Sequence, residues 1–277
     1  MTSPDSRPAY ALGYSKAESD RLMRQAKQLA PLTESFFRDA GIALGSHVLE
    51  LGSGMGDVAM LVSRLVGPSG SVLGIERDPD SIRFAQARVA EAGLKNVSFS
   101  QDDVSHLCAG KQFDAAVGRF ILQFLPDPVS VLHSLCAAVK PGGVIAFHEP
   151  QWQPYIDLLA DLPLSRACAI AVRDTMHASS VRTDGGLFLH RVFQKAGLPP
   201  PNMRIEMILG SQPSFTTWIC DLLSSLLPKA RQHHISLEAL GELETLSSRV
   251  HAEVTAANVA VPWIALVAAW SIVPAHN

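Results

Sequence analysis

Residues 48–57 read VLELGSGMGD, and residues 58–66 continue as VAMLVSRLV. The opening is a strand-like apolar run, the continuation has a helical pattern, and Gly52, Gly54 and Gly56 stand at the join. Glycine takes positive φ without steric penalty and has no Cβ, so such a turn can be sharp and can let a ligand approach the main chain. A strand that passes directly into a helix through glycines predicts the first crossing of a doubly wound sheet, with ligands bound at the carboxyl edge where the strand order reverses.

The flanking sequence extends this pattern. HVLEL, SVLGIE, VSFS, FDAAVG and GVIAFHE are short apolar runs separated by segments of helical length, which predicts an α/β fold, doubly wound and mostly parallel. Asp78-Pro79 and Asp127-Pro128 each place a capping carboxylate before a first-turn proline, and Gly93 and Lys140-Pro141-Gly142-Gly143 supply the stops. Upstream, Ser15 and Glu18 form a capping-box pattern. Pro31 is expected to break this region into two helices, the second ending at Gly41. Beyond Glu149 the alternation loosens. Helices are expected over about 158–176 and 185–196, a strand over 203–209, two or three helices within 213–258, and a returning strand in the apolar tail 259–273. The expected organisation is residues 1–46 as N-terminal helices of a cap, and 47–277 as the main domain with helical insertions at about 151–182 and 211–258.

Composition narrows the partners. The chain has 277 residues, 23 basic and 26 acidic, for a net charge of -3, and no run of Lys and Arg to track phosphates. A nucleic-acid substrate is therefore not expected. The four cysteines, Cys108, Cys136, Cys168 and Cys220, are widely spaced, which predicts structural thiols and no metal site. The opening MTSPDSRPAY lacks the apolar core of a signal peptide, so a cytoplasmic location is the expectation. Residues 256–273 are apolar enough to suggest a membrane span, but Asn258, Pro262 and the lack of flanking basic residues favour a buried element and no membrane partner.

The glycines are spaced G-x-G-x-G, unlike the G-x-G-x-x-G of a dinucleotide site, and Asp57 stands where that pattern has its third glycine. A carboxylate at a helix N-terminus disfavours a pyrophosphate there. Glu76 ends the second strand, where it can accept hydrogen bonds from both hydroxyls of a ribose. Asp103 ends the third, in reach of an adenine amino group, with Val104 to pack on the ring. Three successive strand ends thus suit one ligand without phosphates, S-adenosylmethionine.

In these motifs the chain resembles the class I methyltransferase family, over about residues 48–149. FDAAVGRFILQFLPDP and VKPGGVIAFHEP are similar to the family's fourth strand and its turn into the fifth. The resemblance implies a seven-stranded sheet with a final antiparallel strand. It also implies glycine-loop contacts from Gly52, Ser53 and Gly54, ribose binding by Glu76, and adenine contacts from Asp103 and Val104. Glu50 and Arg77 are assigned to the same cofactor site. Asp102 departs from the glycine that many members have.

Methyl transfer is an in-line displacement from a positive sulfur, accelerated by positioning and exclusion of water. His148 and Glu149 end the fifth strand and are the candidate catalytic residues, with alternation sending only one of them into the pocket. Arg119 either contacts the cofactor's carboxylate or braces its loop. Tyr10, Tyr14, Trp152 and Tyr155 are the candidate acceptor-binding residues, with Trp218 in the same set, and they suit a small acceptor of secondary-metabolite size. His177, His190, His233 and His234 are read as structural. Two alternatives stay open: a non-methyl-transfer reaction on the same fold, such as a cyclisation, and a non-catalytic binding protein. A homodimer is compatible with apolar faces on the inserted helices.

Overall fold

The computed structural model describes residues 16–106 and 113–275. Among the described residues nine strands follow in chain order: β1 (His47–Leu51), β2 (Ser71–Glu76), β3 (Val97–Gln101), β4 (Phe113–Arg119), β5 (Val139–Gln151), β6 (Asn202–Glu206), β7 (Leu209–Gly210), β8 (Val261–Pro262) and β9 (Ala265–Ile272). Seven of them form one sheet in the order β3-β2-β1-β4-β5-β9-β6. All its pairings are parallel except those of β9, which runs antiparallel to both β5 and β6. The strand order reverses between β1 and β4, the crevice that a doubly wound sheet offers to ligands. This is the expected fold class, with the final antiparallel strand.

The helices are α1 (Lys16–Asp39), α2 (Asp57–Val66), α3 (Pro79–Glu91), α4 (Pro128–Ala138), α5 (Trp152–Leu158), α6 (Pro163–Ala178), α7 (Gly185–Lys195), α8 (Pro213–Thr216), α9 (Trp218–Gln232) and α10 (Leu246–Ala257). The chain gathers into two compact units. The larger runs from Gln25 to Trp152, then Asp184–Ile208, then from Ile264 onward, and holds the seven-stranded sheet. The smaller takes its described residues from the stretch up to Arg24, Gln153–Thr183 and Leu209–Trp263. It contains α6, α9 and α10 and the β7-β8 ribbon.

In the larger unit, successive strand residues point to opposite faces, as the pleat requires. Leu49, Leu51, Ala116, Ile145 and Phe147 pack against α4 and α7 residues such as Leu132, Leu135, Leu189 and Phe193. Val48, Ala115, Val117, Val144 and Ala146 pack instead against Phe36 and Phe37 of α1 and Val58, Leu61, Val62 and Leu65 of α2. Burial on both faces explains why these strands read as near-continuous apolar runs.

The expected helix starts hold: Asp78 accepts from the Ser81 N–H at 2.9 Å and Asp127 from the Ser130 N–H at 3.0 Å. The expected break at Pro31 does not. α1 runs through it as one helix, with Pro31 on the exposed side. A mid-helix proline costs about 3 kcal/mol. Leu29, Phe36 and Phe37 are each fully buried, and at about 1.5–3 kcal/mol per side chain they outweigh it. Gly41 then ends the helix at φ +96°, with the Ile42 N–H on the Phe37 carbonyl. Ser15, the expected cap, lies outside the described residues.

The chain leaves the sheet after β5 and re-enters at Asp184, which bridges Gln151. It leaves again after β6 and returns as β9, with Glu206 paired to Leu266. Both excursions therefore open and close at the carboxyl ends of the parallel strands. The apolar residues 256–273 close α10 and form β8 and β9, and no helix among the described residues is long and apolar enough to cross a membrane.

Candidate functional site

The glycine turn after β1 has the geometry its composition predicts. Gly52, Gly54 and Gly56 have φ of +65°, +48° and +79°. A Cβ on Gly52 would lie 2.7 Å from the Ile121 side chain, whereas one on Gly54 would meet nothing within 4 Å. The first glycine is thus needed for packing against the loop after β4. The second bares its backbone to open space.

Glu76 at the end of β2 is fastened to this turn. Its Oε2 accepts from the Gly54 N–H at 2.9 Å, and its Oε1 accepts from the N–H groups of Arg77 and Asp78 at 2.9 and 3.0 Å. Three main-chain donors leave the carboxylate little rotational freedom: Oε1 takes two of them, and Oε2 takes one and keeps a lone pair. Arg77 contributes only its backbone here, and its side chain is exposed. At the end of β3, Asp103 Oδ1 accepts from the Ser105 N–H at 2.8 Å, capping the short turn in which Val104 is buried.

Beneath the turn, Glu50 is 2% exposed, and its Oε2 has no hydrogen-bond partner. Burial raises its carboxyl from 4.5 to about 8, against the pull of Arg119. Ser53 is also buried, with an unpartnered Oγ. Arg119 closes β4 on the same face. Burial lowers its pKa, with Asp57 and Glu50 acting in the opposite direction. Its Nη1 donates to Thr33 Oγ1 at 3.0 Å.

His148 and Glu149 point to opposite faces of β5, as alternation requires, and both are fully buried. Glu149 Oε1 accepts from Ile121 and Leu122 N–H, each at 2.9 Å, and Oε2 accepts from Gln123 at 3.4 Å. Burial lifts its carboxyl to about 7 despite these donors. Glu149 therefore anchors the loop after β4. His148 packs against Phe36, with Nδ1 3.5 Å from Thr33 Oγ1 and Nε2 3.5 Å from Glu206 Oε2. Burial pushes the imidazole below its ordinary value, although Glu206 pulls it up. It has no exposed surface.

Of the expected acceptor-binding aromatics, Trp152 and Tyr155 are among the described residues. Tyr10 and Tyr14 lie outside the described residues. Trp152 is 3% exposed. Tyr155, 2% exposed, sits in the core of the smaller unit, 5.2 Å from Trp218, which stacks on Trp263 at 4.8 Å. Within the smaller unit the rings of Tyr155, Trp218 and Trp263 pack α5 against α9.

Sequence reasoning missed Arg88 on α3. Its Nη1 donates to the Met55 carbonyl and its Nη2 to Asp57 at 2.7 Å, so it clamps the glycine turn from outside. It also missed Thr33. Both contacts join positions far apart in the chain, and no local pattern marks either residue. Among the described residues, no cluster of His, Cys, Asp and Glu is suited to a metal ion.

Residues 43–197 match the family model described as a methyltransferase domain. The chain is similar to an arsenite methyltransferase of Halobacterium salinarum, 31% identical over 43% of this chain and 31% of that protein. It is also similar to a ubiquinone biosynthesis O-methyltransferase of Albidiferax ferrireducens, 30% identical over 50% of this chain and 54% of that one. The chain thus spans between about a third and a half of these curated relatives. In fold it resembles the crystal structure of a SAM-dependent methyltransferase from Aquifex aeolicus, with a TM-score of 0.53 and 18% identity over 69% of this chain and 92% of that one. With more than half of its length matched, and a glycine turn and ribose-type acid at the switch point of a sheet in this order, the chain belongs to the class I S-adenosylmethionine-dependent methyltransferase family.

Proposed function

We propose that this chain binds S-adenosylmethionine at the ends of β1, β2 and β3 and uses it to methylate a small-molecule acceptor. The observation that carries this reading is the clasp of Glu76 to Gly54, Arg77 and Asp78. It holds a carboxylate in place beside a bared backbone at the sheet's switch point. The donor set suits this cofactor: among the described residues Glu50 Oε2 and Ser53 Oγ are buried and without a partner, and Glu76 presents a carboxylate beside the turn. Asp57 stands in the first turn of α2, where a pyrophosphate would otherwise sit, so a ligand without phosphates fits better than a dinucleotide.

When bound, the cofactor supplies a methyl group on a positively charged sulfur. Glu76 would accept hydrogen bonds from the ribose hydroxyls, with Gly52, Ser53 and Gly54 forming the floor, Asp103 and Val104 framing the adenine, and Arg119 taking the amino-acid carboxylate. His148 and Glu149 offer no accessible base, so the reading is transfer by positioning, which effective concentration alone can accelerate strongly. The relatives named for arsenite and for ubiquinone biosynthesis support a small acceptor.

The test is calorimetric titration with S-adenosylhomocysteine, with NAD as control, followed by labelled methyl donor and a panel of small acceptors. Binding of S-adenosylhomocysteine alone is expected. Binding of NAD, or of neither by folded protein, would overturn the reading.

A further inference from the structure

The guanidinium of Arg119 has an unusual set of supports. Among the described residues it makes one hydrogen bond, to Thr33 Oγ1 at 3.0 Å, and no carboxylate is in ion-pair contact with it. Glu50 and Asp57 act on it only at longer range. Thr33 lies 86 residues away on α1, fully buried. Its hydroxyl has three neighbours: Arg119, the Leu29 carbonyl at 3.1 Å, and His148 Nδ1 at 3.5 Å.

Burial alone would raise the Glu206 carboxyl, but His148 and Arg204 together hold it below the ordinary carboxylate value. Glu206 is therefore an anion at neutral pH, and it is tied to Arg204, which pairs in turn with Asp39. The imidazole Nε2 lies 3.5 Å from Glu206 Oε2, and Nδ1 lies 3.5 Å from Thr33 Oγ1. The threonine O–H donates either to Nδ1 or to the Leu29 carbonyl. In both cases an oxygen lone pair remains for Arg119. A hydroxyl suits this place because it accepts from a cation while donating to a neutral acceptor.

We propose that Thr33 is a positioning residue of the cofactor site: its hydroxyl fixes one edge of the Arg119 guanidinium and leaves the remaining N–H donors for the carboxylate of the bound cofactor. The inference rests on the proposed contact between Arg119 and that carboxylate. It makes α1 part of the site through one atom.

The experiment compares S-adenosylhomocysteine with 5′-methylthioadenosine, which lacks the amino-acid end, by titration calorimetry. Thr33→Val should weaken S-adenosylhomocysteine binding by about tenfold, the equivalent of one lost charge-assisted hydrogen bond. Methylthioadenosine binding should stay within about twofold, which separates this effect from a damaged fold. Thr33→Ser should restore most of the loss, and Thr33→Val in an Arg119→Met background should add little. If Arg119→Met leaves the preference between the two ligands intact, the carboxylate role of Arg119 fails and the proposal falls with it. If Arg119→Met removes that preference while Thr33→Val preserves it, the role of Arg119 stands and Thr33 is refuted alone.

Discussion

Replacing Glu149 with Gln should make the stability difference from wild type depend on pH, in a direction and by an amount that follow from its burial. The carboxyl is fully buried and titrates at about 7 instead of 4.5, because burial outweighs three backbone donors and no charged side chain contributes. A carboxyl whose folded value lies above its unfolded one binds its proton more tightly in the native state. Its favourable contribution is complete below 4.5 and disappears as the pH rises through 7. By linkage, ionising it costs the native state about 0.8 kcal/mol at pH 5 and about 3.4 kcal/mol at pH 8. The advantage of wild type over Glu149→Gln should therefore shrink by about 2.5 kcal/mol between those pH values. Any fixed cost of seating an amide NH2 among backbone donors cancels in this comparison. Urea unfolding at pH 5, 6, 7 and 8, followed by tryptophan fluorescence, reads the difference directly. A constant gap, or one that grows with pH, would falsify the claim that desolvation governs this carboxyl and would place its pKa in the ordinary range.

Other outcomes follow from the same geometry. Glu76→Ala should weaken S-adenosylhomocysteine binding by about 1.5–3 kcal/mol, the range for hydrogen bonds to a charged group, and unchanged affinity in calorimetry would remove the ribose assignment. Arg88→Ala frees the Met55–Asp57 turn. It should slow no acceptor-side step but raise the S-adenosylhomocysteine dissociation constant by about tenfold, with faster amide exchange at residues 54–57; unchanged exchange would show that the turn holds itself. Phe120 has φ +57°, a region that penalises any Cβ. Phe120→Gly should therefore exceed Phe120→Ala in stability by about 1 kcal/mol, and equal urea midpoints would argue against strain there.

The fold was legible where local chemistry and tertiary structure agree. Asp78 and Asp127 cap the helices they precede, and Gly52, Gly54 and Gly56 adopt the positive φ that their spacing at a strand end implies. Pro31 was misleading because its penalty is local, whereas the burial of Phe36 and Phe37 that overrides it depends on β-strands encoded later in the chain. At the site, Glu76 was readable because it ends a strand next to a glycine turn. The partners of His148 and Glu149 were not, because a strand end gives the direction of a side chain but not what covers it. The loop at residues 121–123 turns back onto Glu149, and α1 lies over His148. Tyr155 and Trp152 were aromatic residues in insertions, and the sequence offers no means to tell a binding surface from the insertion's own core.

The place of β9 between β5 and β6 bears on how the protein is made. During synthesis β6 emerges before β9 but has no neighbour to pair with until residues 265–272 follow. Over that interval the sheet can close only as far as β5, whose outer edge exposes the backbone of an apolar strand. Unpaired edges of this kind recruit other chains. The nascent protein is therefore most prone to aggregation while residues 207–264 are being translated, and a chaperone that shields strand edges should matter most in that window.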